Sequence, residues 1–139
     1  MINGKVLNKM FQHAGIDKRE LHAALCKLGS PPKKGKDLWS PRRPTTGYCY
    51  VVTEVVSYVM KKRNIPYKTF RLDLGNGESH WFIRLGASGD GDIIDLTADQ
   101  TDDSYDYEKA KGRSPRKTPH MQYGMSMQAE VLARMMQLL

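Results

Sequence analysis

The sequence predicts an α+β fold, with a central helix packed on a small antiparallel β-meander. Three observations predict it. Apolar residues recur at helical spacing near both ends of the chain. A valine-rich run over 47–63 keeps that spacing for longer than a strand extends. Between 67 and 97 the pattern changes to alternation broken by glycine-rich turns.

Taken in order, residues 1–29 read as a helical hairpin. Val6, Leu7, Met10, Phe11 and Ala14 make one apolar stripe, and Gly15 ends it. Asp17 with Glu20 three residues on is a capping box, and Leu21, Ala24, Leu25 and Leu28 form the next stripe before Gly29. A hairpin covering a core is favoured over a DNA-binding helix-turn-helix, because the second helix carries few basic or amide side chains to read base edges. Cys26 sits beside the stripe as a small core or boundary residue.

Residues 30–46 form a basic, proline-rich loop, since four prolines exclude a helix or central strand. Leu38 and Trp39 anchor it, and Lys33, Lys34, Lys36, Arg42 and Arg43 make it electropositive. Over 47–63, Cys49, Val52, Val56, Val59 and Met60 repeat at helical spacing, and Lys61, Lys62 and Arg63 suit a helix C-terminus. Thr45 or Thr46 is the expected cap, and Pro66 ends the run. Phe70, Leu72 and Leu74 alternate with Thr69, Arg71 and Asp73 on a half-buried strand. The turns 75–77 and 86–91 then separate strands at 79–85 and 92–97, completing a three-stranded meander over 67–97. Residues 98–125 read as a long polar loop. Residues 126–139 read as a capped helix with Met127, Val131, Leu132, Met135, Met136, Leu138 and Leu139 on its apolar side. Its methionines, with Met125, also suit an adaptable partner surface.

The chain has 139 residues, a length expected of a single domain that buries a core without disulfides or metal. Its formal net charge is +7, which favours an acidic partner, nucleic acid or an anionic surface and says nothing of fold. Two cysteines, no signal pattern and no run long enough for a membrane span point to a reduced, cytoplasmic setting without membrane contact. Neither a CxxC pair nor a histidine cluster suggests zinc, and no cofactor is implied.

The chemistry-bearing residues are Cys49, His80 and Asp95, in that order on helix, strand and strand. A thiolate is the nucleophile, and a helix N-terminus favours it. An imidazole holds the proton, and a carboxylate fixes the imidazole tautomer. If Leu85 and Asp92 flank the second turn, Phe82 lies opposite Asp95 and His80 opposite Thr97. His80 and Asp95 then share a face as diagonal neighbours, and Trp81, Ile83 and Leu85 line the other. Trp39, Tyr48, Trp81 and Gln100 are the candidate residues of a substrate cleft, with the backbone N–H of Cys49 as oxyanion donor.

The segments Trp39-Ser40-Pro41, Pro44-Thr45-Thr46-Gly47-Tyr48-Cys49, His80-Trp81-Phe82 and Asp95-Leu96-Thr97-Ala98-Asp99-Gln100 resemble the YunG-like proteins of bacteria and phages. The similarity spans about residues 38–101. It implies a papain-like or transglutaminase-like thiol fold with Cys49, His80 and Asp95 on the matching positions, and a bacterial host cytoplasm for a phage-encoded copy. Arg43 and Thr101 depart from that family's pattern, which has an amide-bearing residue and an aromatic there.

The expectation is therefore a cysteine hydrolase or acyltransferase acting on a protein, peptide or amide. Its rival is a catalytically silent scaffold that binds nucleic acid or an acidic host protein through its basic surface.

Overall fold

The structure is a computed structural model and describes residues 3–31, 38–75, 77–101, 104–113 and 124–139. Among these the chain is α+β, with four α-helices and a four-stranded antiparallel sheet of order β3-β2-β1-β4. Lys33, Lys34 and Lys36 of the basic loop lie outside the described residues.

Helix α1 spans Gly4–Ala14 and α2 spans Lys18–Leu28. The Asn3 side chain caps α1 by accepting from Lys5 N, and Gly15 ends it at φ 66°, a left-handed angle that glycine adopts without strain. The Asp17 carboxylate accepts from Glu20 N at 3.0 Å to start α2. Leu7, Met10, Phe11, Leu21 and Leu25 are buried, so the hairpin covers the core. Cys26 is exposed and does not enter it.

Helix α3, Cys49–Lys62, is the centre of that core, with Val51, Val52, Val55, Val56, Val59 and Met60 buried. Each valine costs about 0.5 kcal/mol of helix propensity against alanine. Burying its side chain returns about 1.5 kcal/mol or more, so packing decides the conformation. The expected threonine cap is not formed. Tyr48 is the N-cap and makes no side-chain cap bond. The Thr45 hydroxyl instead donates to Asp99 at 2.8 Å, which ties the approach to α3 to the far side of the meander.

Strands β1 (Tyr67–Gly75) and β2 (Glu78–Leu85) pair antiparallel, with Phe70 opposite Phe82 and Leu72 opposite His80. Strand β3 is shorter than expected, only Ile93–Ile94, and Asp95 falls just beyond it. Its register is nevertheless the expected one, with Ile83 opposite Ile94 and Arg84 opposite Ile93. Gly91 N donates to Leu85 O at 2.8 Å, and Arg84 Nε donates to Gly91 O at 3.1 Å, so the turn is held from both sides.

Two further expectations are corrected. The stretch after Ala98 is not wholly irregular. It contains short 3-10 turns at Ala98–Gln100 and Tyr107–Lys109, and a fourth strand β4, Lys111–Gly112, beside β1. Helix α4 spans Met127–Met135, and its buried side is Ala129, Leu132 and Ala133 followed by Met136, whereas Met127, Val131 and Met135 are exposed. Small alanines let α4 lie close to α3, which leaves the larger residues outside.

Alternation along β2 separates two environments. Ile83 belongs to the core built on α3. On the other face, Phe82 stacks on Phe70 at 5.7 Å and meets Tyr107 edge-on at 4.8 Å. Leu74 is expected with Phe70 and Leu72 as an inward residue, but it lies at the register irregularity between Asp73 and Gly75 and is 45 % exposed.

No described helix is long and apolar enough to cross a membrane.

Candidate active site

Cys49 opens α3, so its backbone N–H precedes the first intrahelical bonds and has no acceptor within the helix. Its thiol points to Ser79 O at 3.8 Å, one residue from His80 in β2. Helix and strand are joined here by Thr53 Oγ1, which donates to Trp81 O at 3.0 Å.

His80 is fully buried on β2. Its Nε2 is 2.7 Å from Asp95 Oδ2. The diagonal placement from the hairpin register is what brings these side chains together. The Asp95 carboxylate is itself held by three more donors. Tyr107 OH donates to Oδ2 at 2.7 Å, and Thr97 N and Thr97 Oγ1 donate to Oδ1 at 3.3 and 3.4 Å. The Asp95 N–H ends on Met10 Sδ at 3.3 Å, which joins α1 to the back of the site. A buried carboxylate is costly unless its lone pairs are filled, and these are.

The other ring nitrogen, His80 Nδ1, faces Gln100 Nε2 at 2.8 Å. Gln100 Oε1 accepts from Gly47 N at 3.1 Å, and Nε2 also donates to Tyr105 OH at 3.0 Å. Tyr105 lies flat on the imidazole, with centroids 3.8 Å apart and planes within 7°.

Opposing influences act on His80. Burial lowers its pKa. The charge and hydrogen bond of Asp95, and then those of Cys49, raise it further than burial lowers it, to about 9. The Gln100 amide works against protonation, because Nδ1 can accept from it only as the neutral ring. While that contact holds, the ring is neutral with its proton on Nε2, and protonation, which the raised pKa favours, requires the amide to leave Nδ1. Burial pushes the Tyr105 hydroxyl up to about 12, and burial together with the neighbouring Asp95 pushes that of Tyr107 up as well, so both remain neutral at any physiological pH.

A cleft of about 690 Å³ opens over the thiol. Tyr48, Cys49, Trp81 and Gln100 line it, with Tyr50, Leu74, Glu78 and Tyr105. Tyr50 and Trp81 meet edge-on at 5.0 Å to form one wall. Tyr48 contributes by its backbone side, as its hydroxyl reaches away to Gly29 O at 2.6 Å. Trp39 is not among the lining residues. Its indole donates to Pro44 O at 3.0 Å and shapes the loop leading to Cys49.

The structure thus brings Cys49, His80, Asp95 and Gln100 into one cluster and sets Trp39 apart. Tyr105 and Tyr107 are further members of this cluster with little signal in the sequence. The one signal for them is the alternation Tyr105-Asp106-Tyr107 inside an otherwise polar stretch. Glu54 is also missed. It is buried five residues beyond Cys49 and accepts from Ser126 N at 2.8 Å and from Ser126 Oγ at 2.6 Å, so α3 holds the residue whose side chain caps α4. Among the described residues no group of three or more His, Cys, Asp or Glu is placed to hold a metal ion.

Comparison with protein-family models, curated proteins and solved structures found no match.

Proposed function

We propose that this protein is a cysteine acyl-transfer enzyme on a papain-like scaffold. Cys49 is the nucleophile, His80 the general base and then acid, and Asp95 the residue that orients the imidazole. One observation carries the reading: a buried imidazole with Asp95 at one ring nitrogen, and with its other side against the thiol that opens α3.

The chemistry follows from those positions. The thiol proton passes to Nδ1, and the thiolate sulfur attacks a carbonyl carbon in the cleft. The Cys49 N–H, free of an intrahelical acceptor, donates to the oxyanion that forms. The imidazolium then gives its proton to the departing amine, leaving a thioester. Water or an amine, deprotonated by His80, releases the acyl group. Peptide, isopeptide and amide hydrolysis, deamidation and transfer to an amine all share these steps. The aromatic and apolar walls of the cleft favour a side chain or peptide over a small polar solute.

Alkylation by iodoacetamide at neutral pH, followed residue by residue with peptide mass mapping, tests the reading. Cys49 should react at least tenfold faster than the exposed Cys26, and His80→Ala should remove about that advantage. Equal slow labelling of both cysteines, unaffected by His80→Ala, would refute it.

A further inference from the structure

The Gln100 carboxamide has every hydrogen-bonding group engaged, and this fixes its orientation. Gly47 N–H can only donate, so Gln100 Oε1 must face it. The two hydrogens on Nε2 then go to His80 Nδ1 and to the Tyr105 oxygen. A flipped amide would set N–H against N–H at Gly47. His80 therefore presents a lone pair at Nδ1 and keeps its proton on Nε2, against Asp95. That lone pair is the one needed to take the thiol proton, and it is already occupied. The Cys49 thiol is a neighbour of the ring, and its own hydrogen-bond contact runs to a backbone carbonyl, Ser79 O, at 3.8 Å.

We infer that Gln100, held by Tyr105, is a positioning residue that caps the His80 base at rest, and that a bound substrate arms the Cys49–His80 pair by drawing the amide off Nδ1. This rests on the triad reading above. Gly47 N–H gives the release a route. A substrate carbonyl that takes this donor displaces Gln100 Oε1, and the amide loses the contact that aims its nitrogen at the ring. The proton then moves from Sγ to Nδ1, leaving a thiolate beside an imidazolium whose Nε2–H remains on Asp95. The groups that bias this transfer are Asp95 and the thiolate, which favour imidazolium. Tyr105 and Tyr107 stay neutral throughout. Asp99, on the same 3-10 turn as Gln100, is tied to Thr45 and lies 3.8 Å from His22.

The pH profile of Cys49 alkylation by iodoacetamide tests the cap, because this reagent forms its C–S bond and releases iodide without needing the Gly47 donor. Gln100→Ala frees Nδ1. Gln100→Glu goes further, as a carboxylate still accepts from Gly47 and also accepts from a protonated Nδ1. Both variants should alkylate about two- to tenfold faster at neutral pH, the equivalent of one neutral hydrogen bond, with the half-maximal pH moved down. A profile unchanged in both, or slower at every pH in both, would overturn the cap; the slower result would make Gln100 a structural strut. Should either variant misfold, the nitrogen shifts of His80 in the unmodified protein decide independently. Neutral imidazole protonated on Nε2 at neutral pH is expected, and imidazolium or the Nδ1–H tautomer there would overturn the cap. Failure of the triad reading looks different: His80→Ala leaves Cys49 alkylation untouched, whatever the tautomer.

Discussion

Asp95→Asn replaces one carboxylate oxygen by a donor, and the surroundings dictate which one. Thr97 N–H and Thr97 Oγ1 both point at Oδ1, and the backbone donor cannot be reversed. The asparagine oxygen must therefore take the Oδ1 position and its NH2 the Oδ2 position, facing His80 Nε2 and the Tyr107 oxygen. Tyr107 can rotate its hydroxyl and accept. His80 must give up the Nε2 proton and carry it on Nδ1, where it opposes the Gln100 N–H across 2.8 Å. Two charge-assisted bonds, each 2.7 Å in the native protein, become neutral ones at a cost of about 1 kcal/mol apiece. Loss of the Gln100 bond adds about 1 kcal/mol. The sum, about 3 kcal/mol, lowers the melting temperature by on the order of 10 °C in a domain of this size. The chemical effect is separate, because an Nδ1–H cannot accept the thiol proton. Cys49 alkylation at neutral pH should fall about tenfold, the same advantage that His80→Ala removes. Calorimetry reads the first quantity, mass mapping the second, and the His80 nitrogen shifts the tautomer that links them. A variant that keeps the Nε2–H tautomer and alkylates within about twofold of the parent would refute the reasoning.

Glu54 supplies a pH test. Burial raises its carboxyl above the usual range, more than its bonds to Ser126 lower it. A raised folded-state pKa means stability that is complete below the unfolded value near 4.5 and declines as pH rises through the folded value. Glu54→Gln keeps an acceptor for Ser126 N and removes the charge, so its melting temperature should exceed the parent's at pH 8 and the gap should close toward pH 4. A constant gap across that range would show that the charge is not the cause. Glu54→Ala should cost about 2–4 kcal/mol in chemical denaturation, from a cavity and the loss of both bonds that hold Ser126. Gly91→Ala probes the turn that sets the β2–β3 register. An added Cβ would stand 2.6 Å from Leu85 O, so the turn must open, with a loss of about 1–3 kcal/mol and slower Cys49 alkylation. Unchanged alkylation in a destabilised Gly91→Ala protein would separate the register from the site.

Much of the architecture is legible because it depends on local pattern. Valine repeated at helical spacing identifies α3, and the glycine turns identify the hairpins and hence the pairing that sets His80 beside Asp95. What escapes depends on partners distant in sequence. Thr45 looks like a helix cap and is claimed by Asp99. Asp95 looks like a strand residue, yet the ladder stops at Ile94, because its carboxylate bends back to collect Thr97 and Tyr107. The exposed Met127, Val131 and Met135 look like the inner face of α4, and the choice of Ala129 and Ala133 instead is made by the proximity of α3. The tyrosines that enclose the imidazole lie in a stretch whose polar composition gives no periodic signal of depth. Cys49, His80 and Asp95 are visible as types in a workable order, whereas the Gln100 amide at the second ring nitrogen of His80 gives no signal in the sequence.

The contacts that finish the site join residues far apart in the chain. Gly47 and Gln100 are 53 residues apart, Thr45 and Asp99 are 54 apart, and the Asp95 N–H reaches back 85 residues to Met10. The helix caps span two or three. Closing long loops precedes the reward of their contacts, so the helix caps are expected to form before the imidazole environment. A nascent chain that has emerged only as far as His80 carries the cysteine but neither the carboxylate nor the amide that govern its base. On the proposed reading, the reactivity of Cys49 should rise only once residues 95–107 have docked, and its time course during refolding would report that long-range closure.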